Sequence, residues 1–320
     1  MTDRDSTDAP EPLLLIVGPT GSGKSSLGIE VAEALGGEIV SADAFAVYRG
    51  LDIGTDKPDA EARRRVRHHL VDVADPWERF SAGRFAAEAA AAIADIRGRG
   101  LVPVVVGGTH FWVRALLLGL FPSPPRDPAV SRRLAAEWAS DPAAAFARLE
   151  AADPVATTRI GRHDRQRVLR ALEVLELTGT PISEHWRRHA RSSDHRPVLA
   201  APARPRAELY ARIEARVDVM FASGLREEVR RILASGVPRD AHALKAIGYR
   251  QVVDHLDGAC DLATAIDNTK IASRRLAKRQ LTWLRGLTEG DLHWVPPPEA
   301  GGAEAVSHLW SAKLRGKGQS

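Results

Sequence analysis

The 320-residue chain is 44% hydrophobic and 27% charged, proportions that exclude a largely disordered polypeptide and admit a packed interior. Its length exceeds one small core and points to a large domain with a lesser one. Net charge is a modest +4, and the lone cysteine, Cys260, excludes an intramolecular disulfide and a cysteine zinc site, as a reducing cytoplasm would favour.

Residues 1–12 read as an acidic, proline-bearing tail with no basic leader region and no long apolar segment. Leu13 to Val17 has strand length, far below the about 20 apolar residues needed to span a bilayer, so no membrane segment is expected. Gly18 to Gly23 is a glycine-rich turn, Ser25 to Leu35 has helical spacing, and Gly36-Gly37 stops that helix. Glu38 to Ser41 predicts a second short strand. An alanine-rich helix is expected from Ala82 to Arg97, and Leu101 to Val106 is a continuous apolar run typical of a buried parallel strand. Strand and helix alternate as a doubly wound sheet requires.

After Gly119 the character changes. Pro122, Pro124, Pro125 and Pro128 break regularity, and Val130 to His189 reads as almost pure helix. Between Arg196 and Arg206 three prolines surround Val198 to Ala201, a candidate strand returning to the sheet. Helical patterns resume from Glu208 to Leu233 and from Ala263 to Leu284, and the chain after Pro296 reads as low in structure.

Gly18-Pro19-Thr20-Gly21-Ser22-Gly23-Lys24-Ser25 fits G-x-x-x-x-G-K-[ST] between a strand and a helix, the context that makes this pattern a phosphate site. Its backbone N–H groups and the helix N-terminus attract phosphate, Lys24 neutralises charge, and the Ser25 hydroxyl can hold Mg²⁺. The motif alone does not name a reaction. Nucleotide hydrolysis would call for a carboxylate closing an apolar strand, yet the strand ending at Val106 continues Gly107-Gly108-Thr109. Asp43, directly after the second strand, should emerge on the same sheet edge as the glycine turn, where a carboxylate can act as general base. His68-His69 reads as a hydrogen-bonded pair, and Trp138 and Trp186 as helix packing.

Lys270 to Arg285 carries six basic residues and no acidic one, with Arg274 and Lys278, and Arg275 and Arg279, at i, i+4 spacing. Such like-charged pairs repel unless an anion lies between them. Arg165-Gln166-Arg167 with Arg170 forms a second basic patch, for which Glu173 and Glu176 are available as partners.

These segments together resemble the tRNA dimethylallyltransferase (isopentenyl-tRNA transferase) family over nearly the whole chain. The stretches that carry the resemblance are the glycine turn, Ser41-Ala42-Asp43, Val47 to Thr55, Lys57-Pro58, His68-His69-Leu70, Gly107-Gly108-Thr109, Asp164 to Leu172, Ile247 to Arg250 and Ala277 to Arg285. It implies an α/β fold: a P-loop NTPase-like parallel sheet core over 13–125, an inserted all-helical tRNA-binding lobe over 126–195, and a return over 196–295 with basic C-terminal helices. Residues 296–320 would be a tail. The implied activity is transfer of a dimethylallyl group from its diphosphate to the exocyclic amine of the adenosine beside the tRNA anticodon, by a cytoplasmic, monomeric enzyme using Mg²⁺. Asp43 would take the amine proton, while Lys24, Ser25 with Mg²⁺, the glycine-turn amides and Thr109 would hold the leaving diphosphate. An arginine from Leu209 to Val217 would join them, and both Arg212 and Arg216 qualify. The tRNA contacts would come from Asp43, Ala44, Phe45, Ala46, Thr109, Arg132, Gln166, Arg167, Arg170, Tyr249, Arg250, Lys278, Arg279, Gln280, Trp283 and Arg285.

The sequence departs from the family's habit in three places. Ala44 and Ala46 stand where serine and glutamine are usual, so a glutamine contact to tRNA is lost at 46. His110-Phe111-Trp112 replaces the usual Gly-Leu-Tyr, and near Ser131 the expected arginine has Arg132 or Arg133 as its substitute. The competing readings are a P-loop small-molecule kinase, a prenyltransferase acting on free adenine nucleotides, and a non-catalytic RNA-binding protein. The basic helix with Trp283 and the additional lobe favour the tRNA enzyme over one acting on free adenine nucleotides.

Overall fold

The computed structural model describes residues 10–121, 123–189, 195–287 and 292–315. Residues 1–9 of the expected N-terminal tail, Pro122 and residues 316–320 therefore lie outside the described residues. The chain divides into two compact units, one formed by Met1–Leu117 with Ser193–Ser320 and the other by Leu118–Ser192.

The larger unit is built on a six-stranded sheet whose described pairs are all parallel. In chain order its strands are β1 (Glu11–Val17), β2 (Gly37–Ser41), β3 (His68–His69), β4 (Val102–Gly107), β5 (His195–Pro202) and β6 (Leu292–Val295). Across the sheet they run β3-β2-β4-β1-β5-β6. The chain thus leaves β1, builds outward to one side, returns through β4, and only then adds β5 and β6 on the other side. Such a reversal opens a crevice at the carboxyl ends of the central strands.

The unbroken apolar runs follow from burial of both faces. Leu13, Leu15 and Val17 point into one core, while Leu14 and Ile16 point into the other. The first core is closed by α3 (Ala82–Gly98), which buries Phe85, Ala89, Ile93 and Ile96. The second is closed by α1 (Lys24–Ala34), through Leu27 and Val31, and by a C-terminal helix, Gly302–Arg315, through Val306 and Trp310. Burial of each such side chain contributes about 1.5–3 kcal/mol. That C-terminal helix corrects the expectation of a structureless tail after Pro296. Val306 and Trp310 already stand at helical spacing, but the prolines at 296–298 and Gly301-Gly302 in front of them obscure it. Strand β6 is likewise an addition, as is β1's start at Glu11 within the expected tail.

Further helices of this unit are α2 (Ala60–Arg65) and α4 (His110–Leu118). The smaller unit contributes α5 (Pro128–Ser140), α6 (Pro142–Ala152), α7 (Pro154–Thr157), α8 (Arg165–Thr178) and α9 (Ile182–Arg188). After β5 come α10 (Arg206–Ala222), α11 (Leu225–Ala234), α12 (Tyr249–Leu256), α13 (Leu262–Arg285) and the C-terminal helix, α14.

The smaller unit shows how its sequence starts helices. Asp127-Pro128, Asp141-Pro142 and Asp153-Pro154 each put a capping carboxylate before a proline that needs no N–H partner. The Asp127 carboxylate accepts from Ala129 N, that of Asp141 from Ala143 N and Ala144 N, and that of Asp153 from Ala156 N. Each cap is worth about 1 kcal/mol. Leu134, Leu149, Val168 and Leu172 form the core, with Trp138 and Trp186 packed against it as expected.

At the amino edge of the main sheet, Glu38 is buried and accepts two hydrogen bonds from Arg99, at 2.5 and 2.7 Å, beside a 2.6 Å contact with His69 Nε2. His68 Nδ1 meets Val66 O at 2.8 Å, so the histidine pair is hydrogen-bonded as expected. The Arg99 guanidinium above all holds the Glu38 carboxyl down to about 2. A depressed carboxylate stabilises the fold above its unfolded value and loses that contribution as pH falls through about 2. Denaturant unfolding from pH 5 down to pH 2 should therefore show wild type losing about 3 kcal/mol that Glu38→Gln never had.

Candidate active site

The glycine turn joins β1 to α1 at the carboxyl edge of the sheet. Its last glycine, Gly23, has φ of +91°, a conformation that a Cβ would strain. Two carbonyls of the turn are tied down by arginines far along the chain. Arg204 Nε donates to Ser22 O at 2.8 Å, and Arg212 Nε donates to Gly21 O at 3.0 Å. Gln280 of α13 accepts from Thr20 N at 2.9 Å and donates to Gly108 O at 2.9 Å. A Cβ on Gly108 would lie 2.6 Å from Gln280 Nε2, so this approach requires glycine. Holding the carbonyls outward presents other turn amides as a preformed anion cradle.

Lys24 opens α1 beneath this turn. Burial lowers its pKa, and Asp43, Arg216 and Asp56 lie near enough to act on its charge, the carboxylates opposing the shift and Arg216 adding to it. Asp43 follows β2, as its position at a strand end predicts. Its Oδ1 accepts from Phe45 N at 2.9 Å and Ala46 N at 3.2 Å, a turn that fixes the carboxylate through one oxygen. Among the described residues Oδ2 has no hydrogen bond. Thr109 follows β4, and its Oγ1 accepts from Ala44 N at 3.0 Å, which leaves its proton for another acceptor. Four anion-directed groups and one anchored carboxylate therefore share one edge: the turn, Lys24, Thr109, the α10 arginines and Asp43.

The two candidate arginines differ. Arg212 braces the turn, whereas Arg216 Nη1 pairs with Asp56 at 2.9 Å beside Lys24. Ser25 is exposed in the first turn of α1, and no group of three or more His, Cys, Asp or Glu among the described residues could hold a metal by itself. A single hydroxyl beside a phosphate cradle suits Mg²⁺, which binds mainly through substrate phosphates and water.

Several residues that the resemblance assigns to tRNA are internal. Tyr249 is fully buried; its hydroxyl donates to Glu228 at 2.5 Å and accepts from Gly54 N at 3.2 Å. Gln280 is buried with both amide atoms engaged, and Ala46 is buried as well. Arg170 donates to Glu173 at 2.6 Å and to Pro124 O at 2.6 Å, so it is held inside the helical unit, as its acidic neighbours foreshadow. On α13, Lys270 pairs with Asp218 and Arg274 with Glu214, both of α10. The expected repulsion between Arg274 and Lys278 is thus relieved by a carboxylate rather than a phosphate. The exposed basic surface narrows to Arg275, Lys278, Arg279 and Arg285, with Arg250 exposed on α12 and Arg132, Gln166 and Arg167 on the smaller unit. Phe45 stacks on His242 at 5.9 Å, and Trp283 on His110 at 4.0 Å.

Sequence reasoning missed Arg204 and Glu228. Arg204 stands two residues past β5 on the same edge, a position that could have flagged it. Glu228 accepts from the backbone N–H groups of Asp52 and Ile53 as well as from Tyr249, and so clamps the loop after Asp43. Nothing in the local sequence distinguishes it from a solvated helix carboxylate.

Comparison with known proteins agrees with this geometry. The family described as IPP transferase matches residues 46–287. The chain belongs to this family. A tRNA dimethylallyltransferase of Anaeromyxobacter dehalogenans is 50% identical over 291 residues, which are 89% of this chain and 95% of that one. One from Stenotrophomonas maltophilia is 48% identical over 293 residues, 89% of this chain and 92% of its own. The crystal structure of a tRNA isopentenylpyrophosphate transferase from Bacillus halodurans superposes with a TM-score of 0.71 at 36% identity, covering 96% of this chain and 98% of that one. A eukaryotic dimethylallyltransferase acting on tRNA superposes with a TM-score of 0.82 at 25% identity, covering 96% and 80%. The sheet and its helices thus have the P-loop NTPase-like fold of the tRNA prenyltransferases.

Proposed function

We propose that this enzyme transfers a dimethylallyl group from dimethylallyl diphosphate to the exocyclic amine of an adenosine next to the anticodon of tRNA. The observation that carries the reading is the placement of Asp43, pinned through one oxygen, on the edge that holds the phosphate cradle and close enough to act on Lys24. The amine nitrogen bonds to the allylic carbon, the bond from that carbon to the diphosphate oxygen breaks, and the amine proton passes to Asp43. An allylic cation forms readily, so the protein's task is to align the amine and stabilise the departing charge. The glycine-turn amides, Lys24, Thr109 and Arg216 serve that charge, with Arg212 keeping the turn in shape. Mg²⁺, carried by the diphosphate and the Ser25 hydroxyl, would neutralise further charge when bound.

The target base must leave its stack to reach Asp43. Phe45 and Trp283 are offered to that base as aromatic contacts, and Lys278, Arg279, Arg285, Arg250, Arg132, Gln166 and Arg167 to the RNA. Replacing Lys278 and Arg279 together by alanine should weaken tRNA binding and flatten its salt dependence by about two counterions. Titration at several salt concentrations checks this, and an unaltered slope would remove both from the interface. The lone Cys260 suits a reducing compartment, and no helix among the described residues is long and apolar enough to cross a membrane.

A kinase reading is weakened by the lack of a carboxylate after β4, where Gly107-Gly108-Thr109 stands. Radiolabelled dimethylallyl diphosphate offered with bulk tRNA or with AMP decides between acceptors. Label should enter tRNA; label in AMP alone would overturn the proposal.

A further inference from the structure

His110 opens α4 directly after Thr109, at the point where the sequence leaves the family's usual glycine. It is 8% exposed, and its Nε2 is buried with no hydrogen-bond partner among the described residues. Native interiors rarely keep an imidazole nitrogen so placed without a ligand or water to meet it. A second orphan, Ser22 Oγ, lies in the glycine turn itself and is fully buried.

The surroundings set the ring beside Lys24 and the residues that brace the glycine turn. Its flat face stacks on Trp283 at 4.0 Å and 12°, one helical turn from the Gln280 that bridges Thr20 and Gly108. Gly108, two residues earlier, lies against the Lys24 stem, since a Cβ there would meet Lys24 Cε at 3.4 Å. The ring is therefore fixed in plane by Trp283 and in position by the start of α4. Burial, helped by the Lys24 charge, pushes its pKa down to about 4, so the imidazole is neutral near pH 7. A neutral ring carries one N–H donor and adds no charge beside Lys24.

We propose that His110 is a further ligand of the bound diphosphate, its Nε2–H donating a hydrogen bond to a diphosphate oxygen alongside Thr109 and the glycine-turn amides. The inference rests on the reading of this cradle as a diphosphate site. It assigns the donor to a position where the family's usual glycine has none.

The test is calorimetric titration of the full chain with inorganic diphosphate and Mg²⁺. Wild type should bind, His110→Met should bind about tenfold or more weakly, and His110→Gln, which keeps a donor amide, should recover most of the loss. Melting curves show which variants are folded. On the wild-type protein, long-range proton–nitrogen spectra of the imidazoles should show the His110 signal, assigned by its absence from His110→Gln, with a protonated Nε2 that moves as diphosphate is added. This second measurement stands even if His110→Met fails to fold. Undiminished binding by folded His110→Met, or an Nε2 that stays unprotonated in the bound form, would overturn the assignment. Absence of diphosphate binding by wild type would instead bring down the cradle reading beneath it.

Discussion

Asp43→Asn should lower single-turnover prenylation of tRNA by about a hundred- to ten-thousandfold while leaving tRNA affinity within a factor of about two. The substitution is chosen over alanine for a structural reason. The side-chain oxygen that accepts from Phe45 N and Ala46 N survives in asparagine, so the turn keeps its shape and only the basic oxygen is lost. Asp43→Ala removes both, and the surplus damage would measure the turn itself. Rapid-quench kinetics with labelled donor and filter binding of tRNA separate the two quantities. Turnover equal to wild type would strip Asp43 of its role.

Lys24→Met should cost about a hundred- to a thousandfold in turnover, the range found when one preorganised donor to a developing anion is removed. Methionine retains much of the stem that lies against Gly108, so packing changes little. A second readout is the pH profile. Burial lowers the Lys24 pKa, and its ammonium is lost as pH rises through that lowered value. The alkaline fall of kcat/KM should accordingly begin below the pH typical of an ordinary lysine, and Lys24→Met should abolish that limb. A profile unchanged by the substitution would assign the limb to another group.

How much of this was readable in advance depended on how local the physics is. The phosphate-cradle motif at Gly18 to Ser25 is written within eight residues, because such a cradle is made of backbone amides and a helix start. Asp43 was legible from its place after a short strand. The strands themselves were legible because two-sided burial leaves continuous apolar runs such as Leu13 to Val17. Burial of polar side chains is a different matter. Gln280, Tyr249 and Arg170 resemble surface contacts in sequence, yet each is engaged by a partner outside its own helix. The same non-locality hid Arg204 and Glu228, whose partners lie 182 and 176 positions away. Helix α14 was hidden for a local reason, since prolines and glycines at its entrance mask the apolar spacing of Val306 and Trp310.

The long-range bracing of the glycine turn has a consequence for synthesis. Gln280 is 260 positions from Thr20, and Arg212 is 191 from Gly21. The first functional segment to leave the ribosome is therefore the last to be completed, because its final brace, Gln280, arrives only with the last quarter of the chain. A nascent or truncated polypeptide ending before α13 carries the phosphate motif without the Gln280 bridge between Thr20 and Gly108, and should therefore hold donor less well until that helix is made.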